Sequence, residues 1–309
     1  MAVFRAKLAN LIGPGEHITH KHNGGWTRNK FDLSLSGRSV TIRQRASVLN
    51  VTRSHMRGRL IESSAVSIRG MTTFEEGEAF VWDLCWLLSF ATQSQVFPFA
   101  FEFDGRKIFR SSGGVYNAWR PPFGGGVGKV SDFVTQAWGN YQLLKDKRAL
   151  AGLIHMITMS DGPGSVLETQ VTTTVQCLEC IKSYFALVEG YRFKISEARN
   201  GSFIDTKNKS VTFEKLMRLT LGDVGMPLPA SFPVVIKLRN AIIHRGFIRE
   251  TDKVTQFIFG PLKPGAMHTA LFETMEQMQD ILREFVLRLL GYKGDFLLYT
   301  DGARIPKKI

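Results

Sequence analysis

Cysteine is rare in this chain: Cys85, Cys177 and Cys180 are the only three in 309 residues, too few for a disulfide framework. Cys177 and Cys180 have C-x-x-C spacing, but no second pair of metal ligands follows. A pair of buried or half-buried thiols is therefore expected, not zinc or redox chemistry. Long apolar runs are also missing. The longest, Phe80 to Ala91, is broken by Asp83 and falls short of the roughly 20 residues a membrane helix needs. The opening Met1-Ala-Val-Phe-Arg-Ala-Lys lacks the apolar core of a secretory signal, so the expectation is a cytoplasmic chain with no membrane partner. A P-loop is excluded as well. Pro121-Pro-Phe-Gly-Gly-Gly-Val-Gly-Lys-Val has Phe123 where the first Gly is required and Val130 where Ser or Thr must follow the lysine. His17, His20 and His22 are clustered in a Gly-rich segment without nearby Cys or Asp, and no metal site is expected there.

Acidic residues are scarce at the front. The first 70 residues hold twelve Lys or Arg against three acids, Glu16, Asp32 and Glu62, so most of the net charge of +13 lies there. Such asymmetry predicts a polyanionic partner held through counterion release. What remains is ordinary for a globular protein, with 44% hydrophobic and 22% charged residues. A chain of this length accommodates two domains.

The patterning divides near residues 130 to 135. Before it, strands dominate. Phe31-Asp-Leu-Ser-Leu-Ser alternates, Gly37 turns, and Val40-Thr-Ile-Arg-Gln-Arg resumes, a β-hairpin with Arg43 and Arg45 on one face. Residues 59–69 and 95–103 read as further strands, the latter turning at Asp104-Gly105 into a hairpin with Lys107-Ile-Phe-Arg. Between them a helix opens at Thr72 or Thr73, with Glu75 and Glu76 at its positive end. After the break the text is helical. Helices are expected over 142–159, 165–189, 212–221, from Ser231 to Gly246, and over 269–290, with a loop over 191–209 and a short hairpin-like or loop passage from Gly246 to about 266. The expected fold is α+β: a basic, β-rich domain over 1–135 for sensing or for binding RNA or a ligand, then a helical bundle over 136–309.

The stretch Leu238-Arg-Asn-Ala-Ile-Ile-His-Arg-Gly246 carries the chemistry. Asn240 and His244 are one helical turn apart on one face, and Arg239 leaves about 100° away on a side chain long enough to bend back. A guanidinium forks onto phosphate oxygens and an imidazole moves protons near neutral pH, so this set suits a phosphodiester. Lys237, about two turns before His244, and Arg245 beside it are candidates for flanking phosphates, as are Arg43 and Arg45.

Arg239-Asn240-Ala-Ile-Ile-His244 resembles the R-x(4–6)-H motif of HEPN domains, including the polar residue after the Arg. Leu178-Glu179 in the long preceding helix, Val235-Ile-Lys-Leu-Arg-Asn, and Leu287-Arg-Leu-Leu-Gly-Tyr-Lys-Gly294 are similar to the ApeA-like HEPN group, over residues 136 to 295. The resemblance implies a metal-independent endoribonuclease without cofactor, of anti-phage or toxin type, with Arg239, Asn240 and His244 catalytic. RNA supplies the 2′-OH nucleophile, and in-line attack leaves a 2′,3′-cyclic phosphate. One histidine is few for a reaction needing both a base and an acid, so a homodimer with a composite site is expected. Control by a regulatory ligand or phage-derived trigger is also expected. The competing expectation is a non-catalytic HEPN module for RNA binding or protein interaction, in which Arg239 pairs with an acid such as Glu179 or Glu273. A third is an accessory to nucleotidyl transfer.

Overall fold

The computed structural model describes residues 2–12, 15–20, 26–49, 53–110, 114–116, 120–124, 128–162, 166–245, 253–260, 263, 266–299 and 303–309. The fold is α+β, an antiparallel sheet followed by a helical region. The sheet contains β1 (Val3–Ala9), β2 (His17–His20), β3 (Trp26–Leu35), β4 (Arg38–Gln44), β5 (Glu62–Arg69), β6 (Phe97–Phe103) and β7 (Arg106–Phe109). Their spatial order is β2-β3-β4-β5-β1-β6-β7. The expected β3–β4 hairpin is present. Ser36 and Gly37 both take positive φ (50° and 75°), the combination that a two-residue hairpin turn demands. The first strand was expected only as part of a strand-rich front and not as an element of its own, yet β1 is central, pairing β5 on one side and β6 on the other. Two short helices, α1 (Ala46–Leu49) and α2 (Arg53–Met56), lead into β5.

One face of the sheet is covered by α3 (Phe74–Thr92). Thr73 caps it, accepting from the Glu76 backbone N–H at 3.1 Å, while the Glu76 carboxylate reaches back to the Thr72 N–H at 2.9 Å. The helix lies close on the sheet because Gly77 has no side chain. A Cβ there would come within 2.2 Å of the Phe4 ring. Phe4 in turn packs its ring 5.7 Å from Phe74 and 5.6 Å from Phe103, an aromatic layer between helix and strands.

The helical region begins with α4 (Val130–Leu144), so the expected break at 130–135 falls in its first turn. The single helix expected over 142–159 is two, α4 and α5 (Leu150–Ser160), separated at Ala149 with φ 45°. The reason is long-range. Arg148 is drawn inside toward Glu189 (3.3 Å) and Asp223 (3.7 Å), and Lys145 toward Asp83 (2.6 Å), so the backbone turns between them. Next come α6 (Leu167–Glu189), a 3-10 turn over Gly190–Phe193, the two-residue strands β8 (Ser196–Glu197) and β9 (Phe203–Ile204), and α7 (Phe213–Asp223). The chain continues through α8 (Phe232–Arg245) and α9 (Lys253–Phe259) to α10 (Ala266–Leu289), then a terminal hairpin of β10 (Asp295–Leu298) and β11 (Ile305–Lys308). The passage before 266, read as hairpin-like or loop, thus contains α9, and the last hairpin was not anticipated. Gly246, expected to end α8, lies outside the described residues. One apolar core runs without interruption from Phe4 and Val66 in the sheet through α3 to Val175, Leu238 and Phe285 in the helices. Among the described residues no helix is long and apolar enough to cross a membrane.

A buried ionic cluster ties distant segments together. Arg120 donates to Asp161 (2.7 Å) and Glu276 (2.6 Å), and Arg283 to Asp161 (2.8 Å) and Asp280 (2.7 Å). Asp280 also accepts the Tyr299 N–H at 2.8 Å. All five charged side chains are buried. Glu276, Asp280 and Arg283 come from one helix, where Asp280 and Arg283 pair at i,i+3, while Arg120, Asp161 and the Tyr299 N–H reach them from distant segments.

Candidate functional site

The Arg239–His244 motif lies on α8. Its buried stripe, Phe232, Val235, Leu238, Ala241 and Ile242, follows helical spacing and turns the helix against the bundle. Pro233 sits in the first turn, where its missing N–H costs no intrahelical bond. Arg239 therefore leaves the helix at the edge of the packed face, half-buried, while Asn240 and His244 are exposed.

The Arg239 guanidinium is held on three sides. Its Nε donates to Glu179 Oε1 on α6 at 2.5 Å, and its Nη1 donates to Asn240 Oδ1 at 2.9 Å. Its central carbon sits 5.0 Å from the centroid of the Phe213 ring at the start of α7. That ring is fixed by a parallel stack on Phe232, centroids 6.0 Å apart, and by Thr212, whose hydroxyl caps α7 by accepting from the Lys215 N–H. Among the described residues nothing accepts from Nη2, so the outer edge of the guanidinium keeps its donors.

Glu179 serves two cations, because Lys182 Nζ donates to its other oxygen at 2.6 Å. Burial alone would raise this carboxyl. The hydrogen bonds from Arg239 and Lys182, and their charges, outweigh burial and hold it below the usual glutamate range. Two cations against one carboxylate leave the cluster with an excess positive charge, the condition for accepting an anion.

The candidates are thus distributed as follows. Arg239 and Asn240 are joined directly. His244 is in the last turn of the same helix, on Asn240's face, and no hydrogen bond engages it among the described residues. Lys237 is turned toward α9, donating to the Phe257 carbonyl at 3.0 Å with its ammonium 4.4 Å from that ring's centroid. Arg245 is exposed at the last described turn. Arg43 and Arg45 belong to another surface, the solvent side of β4 and the residue after it, where Arg45 pairs with Glu62. Glu179, which the sequence offered within the family resemblance and as a possible partner for Arg239, is the residue that holds the Arg239 Nε, and Phe213 carried no signal at all. The C-x-x-C lies along α6 with Cys177 buried and Cys180 half-buried, and burial pushes both thiols up, away from thiolate chemistry. Of the histidine cluster, His17 pairs with Asp32 at 3.3 Å, while the side chain of His20 and all of His22 lie outside the described residues.

Comparison with protein-family models, with curated proteins and with solved structures found no match.

Proposed function

We propose that the chain is a HEPN-type, metal-independent endoribonuclease whose working groups are Arg239, Asn240 and His244. The observation that carries this reading is the state of Arg239: two of its nitrogens are anchored, to Glu179 and Asn240, and its Nη2 edge is left for a phosphate. Such a fork stabilises charge growing on the non-bridging oxygens as the 2′-OH attacks in line. His244, exposed and on the same helix, moves the proton, as base toward the 2′-OH or as acid toward the 5′-oxygen. The substrate brings its own nucleophile, so the chemistry requires no metal or cofactor. The second proton transfer falls to a second His244 in a homodimer whose two α8 helices face one cleft. Exposed Ile243 (49%) next to His244, and Phe257 (68%) on the neighbouring α9, are apolar groups that such an interface would cover. The setting that fits is cytoplasmic, as an anti-phage or toxin-like effector under the control of a ligand or a phage-derived trigger.

The test is to incubate purified wild type, Arg239→Ala and His244→Ala with RNA in excess chelator and determine the product ends. The expected result is 2′,3′-cyclic phosphate and 5′-OH ends from wild type and a loss of at least about 100-fold in either variant. Equal cutting by all three would overturn the assignment. The Arg239–Glu179 pair favours one alternative, in which the arginine only pins α8 to α6 in a non-catalytic RNA-binding module. In that case all three proteins bind RNA equally and none cuts it.

A further inference from the structure

Alternation along an antiparallel strand sends every second side chain to the face opposite the core. In the N-terminal sheet the inner face is taken by α3, and Phe4, Phe31, Ile42 and Val66 are buried there. The outer face is solvated, and the register lines its cations up across the strands. His17 pairs with Lys30, Lys30 with Arg43, Arg43 with Ala65 and Ala65 with Lys7, one transverse row crossing five strands. With strands about 4.8 Å apart, cations recur along that row at steps of about 5 and about 10 Å. Arg69 stands on the same face. Some of this charge is answered locally: Lys30 by Asp32 at 2.8 Å and Lys7 by Glu62 at 3.5 Å. Arg43 and Arg69 are exposed, and no ion pair engages either among the described residues. Between the cations the face is low and hydroxyl-bearing, with Ala65 in the row and Thr41 and Ser67 in the next.

We propose that this outer face is a docking surface for the sugar-phosphate backbone of double-helical RNA. A row of cations over small and hydroxyl side chains contacts phosphates and 2′-hydroxyls without reading bases. Single-strand binders instead present rings on which bases stack. Among the sheet side chains described, the exposed ring is Phe109 (75%), which pairs with Ala100 two strands beyond Lys7, so it stands singly at the edge-strand end of the row and makes no run of stacking platforms. The choice of RNA rests on the proposed ribonuclease reading. The docking surface would hold the helical part of a substrate, leaving the α8 site to act on an unpaired part.

The experiment uses the full chain carrying His244→Ala, so that bound RNA stays intact. Anisotropy of a labelled 20-base-pair RNA duplex is followed from about 50 to 200 mM salt, with and without Arg43→Glu plus Arg69→Glu. The expected result is at least tenfold weaker duplex binding, and a slope of log affinity against log salt shallower by about two, one for each lost phosphate contact. Arg43→Gln plus Arg69→Gln, which keeps the face free of new carboxylates, should give a smaller loss in the same direction and carries the test if the double reversal melts early. Unchanged affinity and slope would overturn the proposal. So would an equal loss on reversing Lys207 and Lys209 beside β9, or equal affinity for DNA duplex or single-stranded RNA of the same sequence. Cleavage by the otherwise wild-type chain is scored separately. A chain that binds duplex through this face but never cuts defeats the ribonuclease reading alone, and one that cuts with both arginines reversed and duplex affinity intact defeats the docking surface alone.

Discussion

Arg239 of α8 and Glu179 of α6 meet Nε to Oε1 at 2.5 Å, which gives the guanidinium one fixed edge and one open edge. A charge-assisted bond of this kind is worth about 1.5–3 kcal/mol, enough to set the direction in which the open edge points.

Under the ribonuclease reading Glu179 is a positioning residue. Glu179→Gln keeps the shape and weakens the hold, so kcat for RNA cleavage should fall about tenfold with KM within about twofold. Steady-state kinetics of the variant decide this. A kcat equal to wild type would make the pair purely a helix-to-helix contact.

Acid should loosen the same contact. The Glu179 carboxyl is held below its ordinary value by Arg239 and Lys182 despite burial, so the folded state prefers it ionised. Its contribution to stability is complete above the unfolded value, near 4.3, and is lost as pH falls through the lower folded value. Urea midpoints of wild type and Glu179→Gln, compared from pH 7 to pH 3, should converge at the acid end. A gap that stays constant down to pH 3 would rule the linkage out.

Gly77→Ala tests how closely α3 lies on the sheet. The added carbon would meet the buried Phe4 ring at 2.2 Å, and overpacking of this kind costs about 1–3 kcal/mol. Chemical denaturation should show the loss, although alanine is the better helix former. A variant as stable as wild type would mean that the Phe4 ring yields without strain.

Arg283→Met removes the guanidinium that Asp161 and Asp280 share in the interior. Breaking a buried pair by deleting one partner costs about 3–5 kcal/mol, because the other charge stays behind. Calorimetry should show a large drop in melting temperature, partly recovered by adding Asp161→Asn. No recovery would show that Asp161 is satisfied by Arg120 alone.

Local pattern made much of this fold legible. Alternation and Gly37 marked the β3–β4 hairpin, Thr73 and Glu76 marked the start of α3, and helical spacing marked α6, α8 and α10. Misreadings arose where distant residues decide. Nothing near Ala149 shows that Arg148 will be pulled toward Asp223, so α4 and α5 read as one helix. The strand β1 alternates Phe4, Ala6 and Leu8 with Arg5 and Lys7, but its place at the centre follows from the distant β5 and β6, which pair with it on either side. At the site, Arg239, Asn240 and His244 were visible because they share one helix. Glu179, 60 positions away, was one of two acids offered as a partner for Arg239 and is the one it meets, whereas Phe213 on a third helix left no trace in the local pattern.

The ionic cluster has a consequence for the newly made chain. Asp161 leaves the ribosome 122 residues before Arg283, and Arg120 emerges 156 residues before Glu276. Until α10 is synthesised, Arg120 and Asp161 have only each other, without the Glu276 and Arg283 that complete their burial, and the groove that α10 will fill stays open. The helix carrying Arg239 and His244 is finished before that groove closes. A nascent chain would therefore hold its motif on an unsettled scaffold, and would acquire a rigid site only when the final helix docks.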